Sequence, residues 1–332
     1  MEMKDRIIYV DMMRGFAILL VVAAHLIQKN IEDGIHNAAF SFINLFHMPL
    51  FFMISGYIGW KVSKPLEGAI SLVRFIKKKV ITLGIPLVVW TLIINYLFFT
   101  DRWRFPSMEA IVRVIINPGL WFLLTLLQIY IVYGVFLLMN TQYNATNKIW
   151  KDLCLFVVVG LLTSVYGLYL PSMSSIFLYT IFFYFGVMIS KHKKFNDIVF
   201  NEWTFAIAFL AFCILCCHWN MHSGHMLDDF LKLITAPCAF IVIANVCRKY
   251  EKYRFANMIS LWGRYSLEIY VIHWTLLFFL RNNHLSLEGV NNFWLFISSC
   301  IVALPILYLS IFFSKIVETS QILRLIMFGR IK

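Results

Sequence analysis

Charged residues are scarce in this chain. Only 14% of its 332 residues are Asp, Glu, Lys or Arg, against about 25% in an ordinary soluble domain. With 61% hydrophobic and 17% aromatic residues, it is too apolar for a soluble globular protein or a disordered one. Prolines number eight, and no two of them interrupt matching apolar runs in two halves, the pattern expected of a transporter built from inverted repeats. The seven cysteines (Cys154, Cys213, Cys216, Cys217, Cys238, Cys247 and Cys300) fall inside or at the ends of apolar runs. They are odd in number, and none belongs to a short stapled framework. Cys213-x-x-Cys216 has no strand–helix context for redox work and reads as packing. No internal repeat is visible.

What the chain does have is long apolar runs. Segments of roughly 17–22 residues, each long enough to cross about 30 Å of hydrocarbon as a helix, recur near Ile7–Ile27, Ile43–Trp60, Val80–Phe99, Gly119–Met139, Leu153–Leu170, Ser174–Ser190, Trp203–Trp219, Phe230–Val246, Ile259–Leu280 and Phe293–Ser314. The loops between them are too short for a soluble domain. The expected fold is all-α: a polytopic integral membrane bundle of about ten transmembrane helices, residues 1–332 forming one transmembrane domain.

Acidic residues are scarcer than basic ones, 17 against 29, a net charge of +12. In a soluble protein that surplus points to nucleic acid. Here the position of each Lys and Arg gives it another meaning. With a cytoplasmic N-terminus, 22 fall in inside segments and 5 in outside loops, leaving Arg14 and Lys232 within runs. The surplus is a topology record: both termini are expected in the cytoplasm, with no nucleic-acid partner. Lys4 and Arg6 ahead of Phe16–Ala24 imitate a secretory leader, but Asp11 and Arg14 interrupt its apolar region, so no cleavage is expected.

The first run carries Asp11, Arg14 and His25. A charge near mid-bilayer costs roughly 2.5–3.5 kcal/mol on insertion scales, so such residues face a polar interior and find partners. Arg14 and His25 are eleven residues apart, which in an α-helix leaves about 20° after three turns and about 16 Å of axial separation. Asp11, three residues before Arg14, shares their face. Two readings fit: an Asp11–Arg14 pair snorkelling at the cytoplasmic edge with His25 in the outer headgroup zone, or one functional face. His47 and Pro49 open the second run, at the depth where the first ends, so His25 and His47 are expected neighbours near the outer face. In the ninth run Ser266, Tyr270 and His273 form a polar stripe, with Glu268 off it.

These residues resemble a known family. Arg14-x10-His25, with Tyr9-Val10-Asp11 before it and Gly15 after Arg14, is similar to the signature of the acyltransferase-3 family of integral membrane acyltransferases. Phe46-His47-Met48-Pro49-Leu50-Phe51-Phe52-Met53-Ile54-Ser55-Gly56-Tyr57 resembles the second-span motif of its sugar O-acetyltransferase branch, the fucose 4-O-acetylase-like proteins. Lys77-Lys78-Lys79 through Pro86 is similar to the family's basic segment, with lysines where many members carry arginines. Trp121-Phe122-Leu123 and Ser266 through His273 match weaker later motifs. The chain is expected to lack the extra span and extracytoplasmic hydrolase-like domain of fused members.

The resemblance implies O-acetylation in a bacterial cell membrane: an acyl group, usually acetyl, passes from cytoplasmic acetyl-CoA to a hydroxyl of an extracytoplasmic or lipid-linked glycan, as in polysaccharide modification. On that reading Arg74, Lys77, Lys78 and Lys79 are candidates for the CoA phosphates, although the same lysines also suit a positive-inside anchor. His25 is the candidate general base or acyl-accepting nucleophile. Arg14 is the candidate for lining the donor's path and contacting CoA, with Asp11 holding its guanidinium. His47, Ser55, Tyr57, Trp121, Tyr270 and His273 are candidates for positioning substrate. Helix packing and interface anchoring account for Ser55 and Tyr57 as well, and His273 is either a site member or a hydrogen-bonded core histidine. His218, His222 and His225, with Cys216, Cys217, Asp228 and Asp229, sit around an outside loop. His218 and His222 at i, i+4 have a spacing that could hold zinc on a helical turn, but no catalytic metal motif surrounds them, so a wet loop or glycan contact is the better reading and no metal is expected. The rival reading is a transporter or flippase for glycan or lipid precursors.

Overall fold

The computed structural model describes residues 7–31, 33–63, 65–99, 119–142, 149–154, 157–158, 176–217, 226–279 and 291–330. Among them are thirteen α-helices and no strand: α1 (Ile8–Asn30), α2 (Ala38–Val62), α3 (Ala69–Lys79), α4 (Ile85–Phe99), α5 (Trp121–Gln142), α6 (Ile176–Lys191), α7 (Lys193–Val199), α8 (Glu202–Cys216), α9 (Met226–Tyr250), α10 (Arg254–Arg264), α11 (Ser266–Phe279), α12 (Asn292–Val317) and α13 (Gln321–Phe328). Apolar runs of this length bury no backbone polar group unpaired only as helix, which is why no other element competes. Nine of the ten expected spans coincide with helices; most of the fifth, 153–170, lies outside the described residues, as does the His218–His225 loop. Five described helices, α1, α2, α5, α9 and α12, are individually long and apolar enough to cross a membrane. The pair α7 and α8 makes a sixth if its 62° bend is one broken span. The protein is a multi-pass membrane bundle.

The ninth span departs from expectation. Residues 259–280 do not form one rod: α10 ends at Arg264, Tyr265 leaves helical geometry (φ −101°, ψ 17°), and α11 starts at Ser266. One face of α10 serves protein packing, while Phe255 and Met258 on this helix remain exposed. Ala256, Ser260, Trp262 and Gly263 are buried, while Arg254 and Arg264 bracket the helix.

The chain divides into two compact units. The first comprises Met1–Ile58 and Phe185–Ser314. At its centre α1 packs against α9, α10 and α11. Two glycines allow the closest of these approaches. A Cβ on Gly15 would run into the Ile259 carbonyl, and one on Gly263 into the Asp11 carbonyl, so α1 and α10 meet backbone to backbone. α2 meets α6 in the same way, with Gly186 against the Met53 carbonyl. An aromatic cluster joins α2, α8 and α12, where Phe42 and Phe46 pack against Phe212, and Phe42 against Phe296.

The second unit comprises Gly59–Tyr184 and Lys315–Lys332. Its core is aromatic: Tyr133 lies 5.2 Å from Phe183 and 5.9 Å from Phe136, ring centre to ring centre. Between α3 and α4 the helix widens to a π-turn over Val80–Gly84. The Trp90 indole N–H on α4 donates to the Met327 carbonyl at 2.8 Å and fastens α13.

Burial explains where polar residues are tolerated. In the apolar stretches of α1 and α2, 72% and 83% of residues are buried within the protein, against 33% in α9 and 39% in α12. α1 and α2, which carry Asp11, Arg14, His25 and His47, are thus the best shielded from lipid of these four helices.

Candidate functional site

The candidates on and around α1 lie in the first unit. α1 is unbroken from Ile8 to Asn30, so the axial separation of about 16 Å between Arg14 and His25 holds, and both side chains are half-buried. Asp11 is half-buried one turn before Arg14, and its carbonyl lies against Gly263. Arg14 and Asp11 therefore stand at the α10 crossing, whereas His25 stands at the other end of the helix, against α11.

At that end His25 joins residues from three other helices. Its ring stacks on His273 of α11 with centroids 5.3 Å apart and planes 27° from parallel. The Trp274 indole is 4.5 Å from it, and Lys29 Nζ sits 5.4 Å from the indole centre. Tyr270 lies one turn before His273, with ring centres 6.0 Å apart. His47 of α2, buried at 4% exposure, is within electrostatic reach of His25 and of Lys232 on α9. His25, His47, His273 and Tyr270 thus come together at this end of α1, the Tyr270–His273 part of the α11 stripe joining the two histidines expected to be neighbours.

Hydrogen bonds determine which ring nitrogen of each histidine carries the proton. His273 Nδ1 donates to the Ile269 carbonyl at 2.9 Å, and His47 Nδ1 to the Ile43 carbonyl at 2.8 Å. A carbonyl only accepts, so Nε2 of a neutral ring bears the lone pair. His273 is fully buried, and its Nε2 has no hydrogen-bond partner among the described residues. A buried unmet acceptor costs about 1–3 kcal/mol, a cost characteristic of sites that receive a further group. His25 Nδ1 is bonded instead to the Gln28 side-chain carbonyl at 2.9 Å.

Other candidates lie elsewhere. Tyr57 donates to or accepts from the Tyr9 hydroxyl at 2.8 Å, and both line an apolar crevice with Met13, Phe200 and Phe240. Tyr9 is sixteen residues, about 24 Å, from His25 along α1, so Tyr57 belongs to the opposite end of the helix. Ser55 is buried on α2 between the two ends. The remaining candidates are in the second unit. Arg74, Lys77 and Lys78 are exposed on α3, while Lys79 Nζ sits 3.5 Å from the Tyr130 ring centre. Trp121 is 38% exposed at the start of α5, its ring 5.2 Å from Tyr179.

Gln28, Trp274, Lys232 and Glu268 were not expected as site residues. Glu268, which the sequence places off the polar stripe of α11, is completely buried. Gln28 falls at the i+3 spacing from His25, and that spacing was its only sequence signal.

A family model described as an acyltransferase domain matches residues 7–312, which include every histidine of the cluster. The nodulation protein NolL of Sinorhizobium fredii (strain NBRC 101917 / NGR234) is 31% identical over 114 residues, which are 32% of this chain and 29% of that protein. The chain thus matches less than a third of that relative's length. No solved structure matches the chain. The chain belongs to the acyltransferase-3 family.

Proposed function

We propose that the protein is a membrane O-acyltransferase. It moves an acyl group, acetyl in the first instance, from cytoplasmic acyl-CoA to a hydroxyl of an extracytoplasmic or lipid-linked glycan in a bacterial cell membrane. Residues 1–332 act as one transmembrane acyltransferase domain. The observation that carries the reading is the His25 ring, with a hydrogen bond at Nδ1 and a second imidazole stacked on its face.

The chemistry balances on that ring. The acceptor oxygen bonds to the thioester carbonyl carbon as its proton passes to His25 Nε2. Collapse of the adduct breaks the carbon–sulfur bond, and the departing sulfur takes the proton. The products are an ester and the free thiol of CoA, with His25 neutral again. If His25 attacks the carbonyl itself, an acyl-imidazole carries the group between donor and acceptor, and Nε2 is again the reacting atom. His47, His273 and Tyr270 position the reactants around it. Arg14, about 16 Å away along α1, does not touch the same carbonyl. With Asp11 beside it, Arg14 contacts the donor further along its path. Arg74, Lys77, Lys78 and Lys79 neutralise the donor's phosphates, and Ser55, Tyr57 and Trp121 serve the passage of substrate. No step needs a metal.

Purified protein given labelled acetyl-CoA, with and without candidate glycans, tests the reading. Glycan-dependent CoA release with label on the glycan is expected. Glycan passage across the bilayer without acyl transfer would instead establish a transporter.

A further inference from the structure

His25 is held unlike its two neighbouring histidines. His47 and His273 each donate from Nδ1 to the backbone carbonyl four residues back, the ordinary restraint on a histidine in a helix. The His25 ring reaches forward instead, to a side chain three residues on. We propose that Gln28 is the positioning residue for His25: its side-chain carbonyl, 2.9 Å from Nδ1, holds the Nδ1 hydrogen and so makes Nε2 the nitrogen that meets substrate. This rests on His25 being the base or nucleophile.

An imidazole without a fixed partner rotates about its Cβ–Cγ bond and exchanges tautomers. In either movement the lone pair leaves the reacting position for part of the time. The Gln28 carbonyl removes both freedoms with one bond. His273, stacked at 5.3 Å, and Trp274, tilted against it at 4.5 Å, then restrict the ring further. The partner is an amide, so it orients the ring without adding a negative charge. When Nε2 takes the acceptor's proton, the Nδ1–H bond to Gln28 becomes charge-assisted and strengthens, but no carboxylate traps the imidazolium. The proton therefore remains available to the leaving sulfur.

The other titratable groups around His25 are His273 and Tyr270 on α11, His47 on α2 with Lys232 of α9 near it, and Lys29 one turn along α1. All are retained when only residue 28 is changed, so a shift in pH dependence reports on Gln28. Gln28→Leu removes the acceptor while keeping a side chain of similar size. Its kcat falls by about 10- to 100-fold with KM for acyl-CoA unchanged, less than the loss from removing a base outright. Gln28→Glu keeps the acceptor and adds a charge that favours imidazolium. Its activity falls away on the acid side at a pH higher by about one unit or more than in the unmodified protein.

Both variants are measured beside His25→Ala, with thermal unfolding in detergent as the check on folding. A Gln28→Leu protein with unmodified kcat overturns the proposal, as does a folded Gln28→Glu protein with an unmoved acid limb. If Gln28→Leu does not fold, the acid limb of Gln28→Glu decides alone. Should His25→Ala keep full activity, the base reading itself fails. Should His25→Ala be inactive while Gln28→Leu is normal, only the role of Gln28 fails.

Discussion

His25 and His273 stack with ring centres 5.3 Å apart, although one comes from the first helix and the other from α11. The stack brings together the two chain segments of the first compact unit and gives His273 a testable place in the chemistry. His273→Phe keeps a ring against His25 but removes both nitrogens. It loses the bond to the Ile269 carbonyl, worth about 0.5–1.5 kcal/mol, and also relieves the buried, unmet Nε2. The expected result is near-normal thermal stability with acyl transfer reduced about 10-fold or more. Unreduced transfer would make His273 a packing residue.

The α1–α10 crossing admits no side chain at two positions. Gly263→Val would drive carbon into the Asp11 carbonyl, and Gly15→Val into that of Ile259. Each is expected to cost about 1–3 kcal/mol of stability. Activity should fall with it, since the crossing fixes Asp11 and Arg14. Thermal unfolding in detergent measures the first effect and transfer rate the second.

The basic residues of α3 divide into two kinds. Lys77 and Lys78 are exposed, whereas Lys79 is engaged over Tyr130 at 3.5 Å. Lys77→Gln with Lys78→Gln is expected to raise KM for acyl-CoA, most at low salt, without lowering the unfolding temperature. Lys79→Gln is expected to lower stability by about 0.5–2 kcal/mol through the lost cation–π contact.

Tyr57 sits with Tyr9 at the end of α1 away from His25. Tyr57→Phe is expected to cost about 1 kcal/mol and to be non-additive with Tyr9→Phe, as for two partners in one bond. A double-mutant cycle on unfolding measures this.

These placements show what hydropathy and rarity can convey. Ionisable residues in a hydrocarbon-length run are costly, so Asp11, Arg14, His25, His47 and His273 are conspicuous in the sequence; the burial of α1 and α2 accounts for the first four, and the full burial of His273 on α11 for the fifth. Gln28 and Trp274 are not conspicuous, because a Gln in a last turn and a Trp near a helix end also suit the membrane interface. The break at Tyr265 is hidden because the apolar face of α10 looks the same whether it meets lipid or α1. Gly263 marks the difference, but only once the Asp11 carbonyl is seen against it. Glu268 reads as peripheral from its angle on α11, and its complete burial shows that protein encloses that side of the helix as well.

The central claim is that His25 carries the transfer. The direct measurement compares unmodified protein and His25→Ala, both purified and shown to unfold at similar temperatures, for transfer of labelled acetyl from acetyl-CoA to glycan. The account predicts transfer by the first and a loss of about 100-fold or more in the second. Equal transfer by both would contradict it.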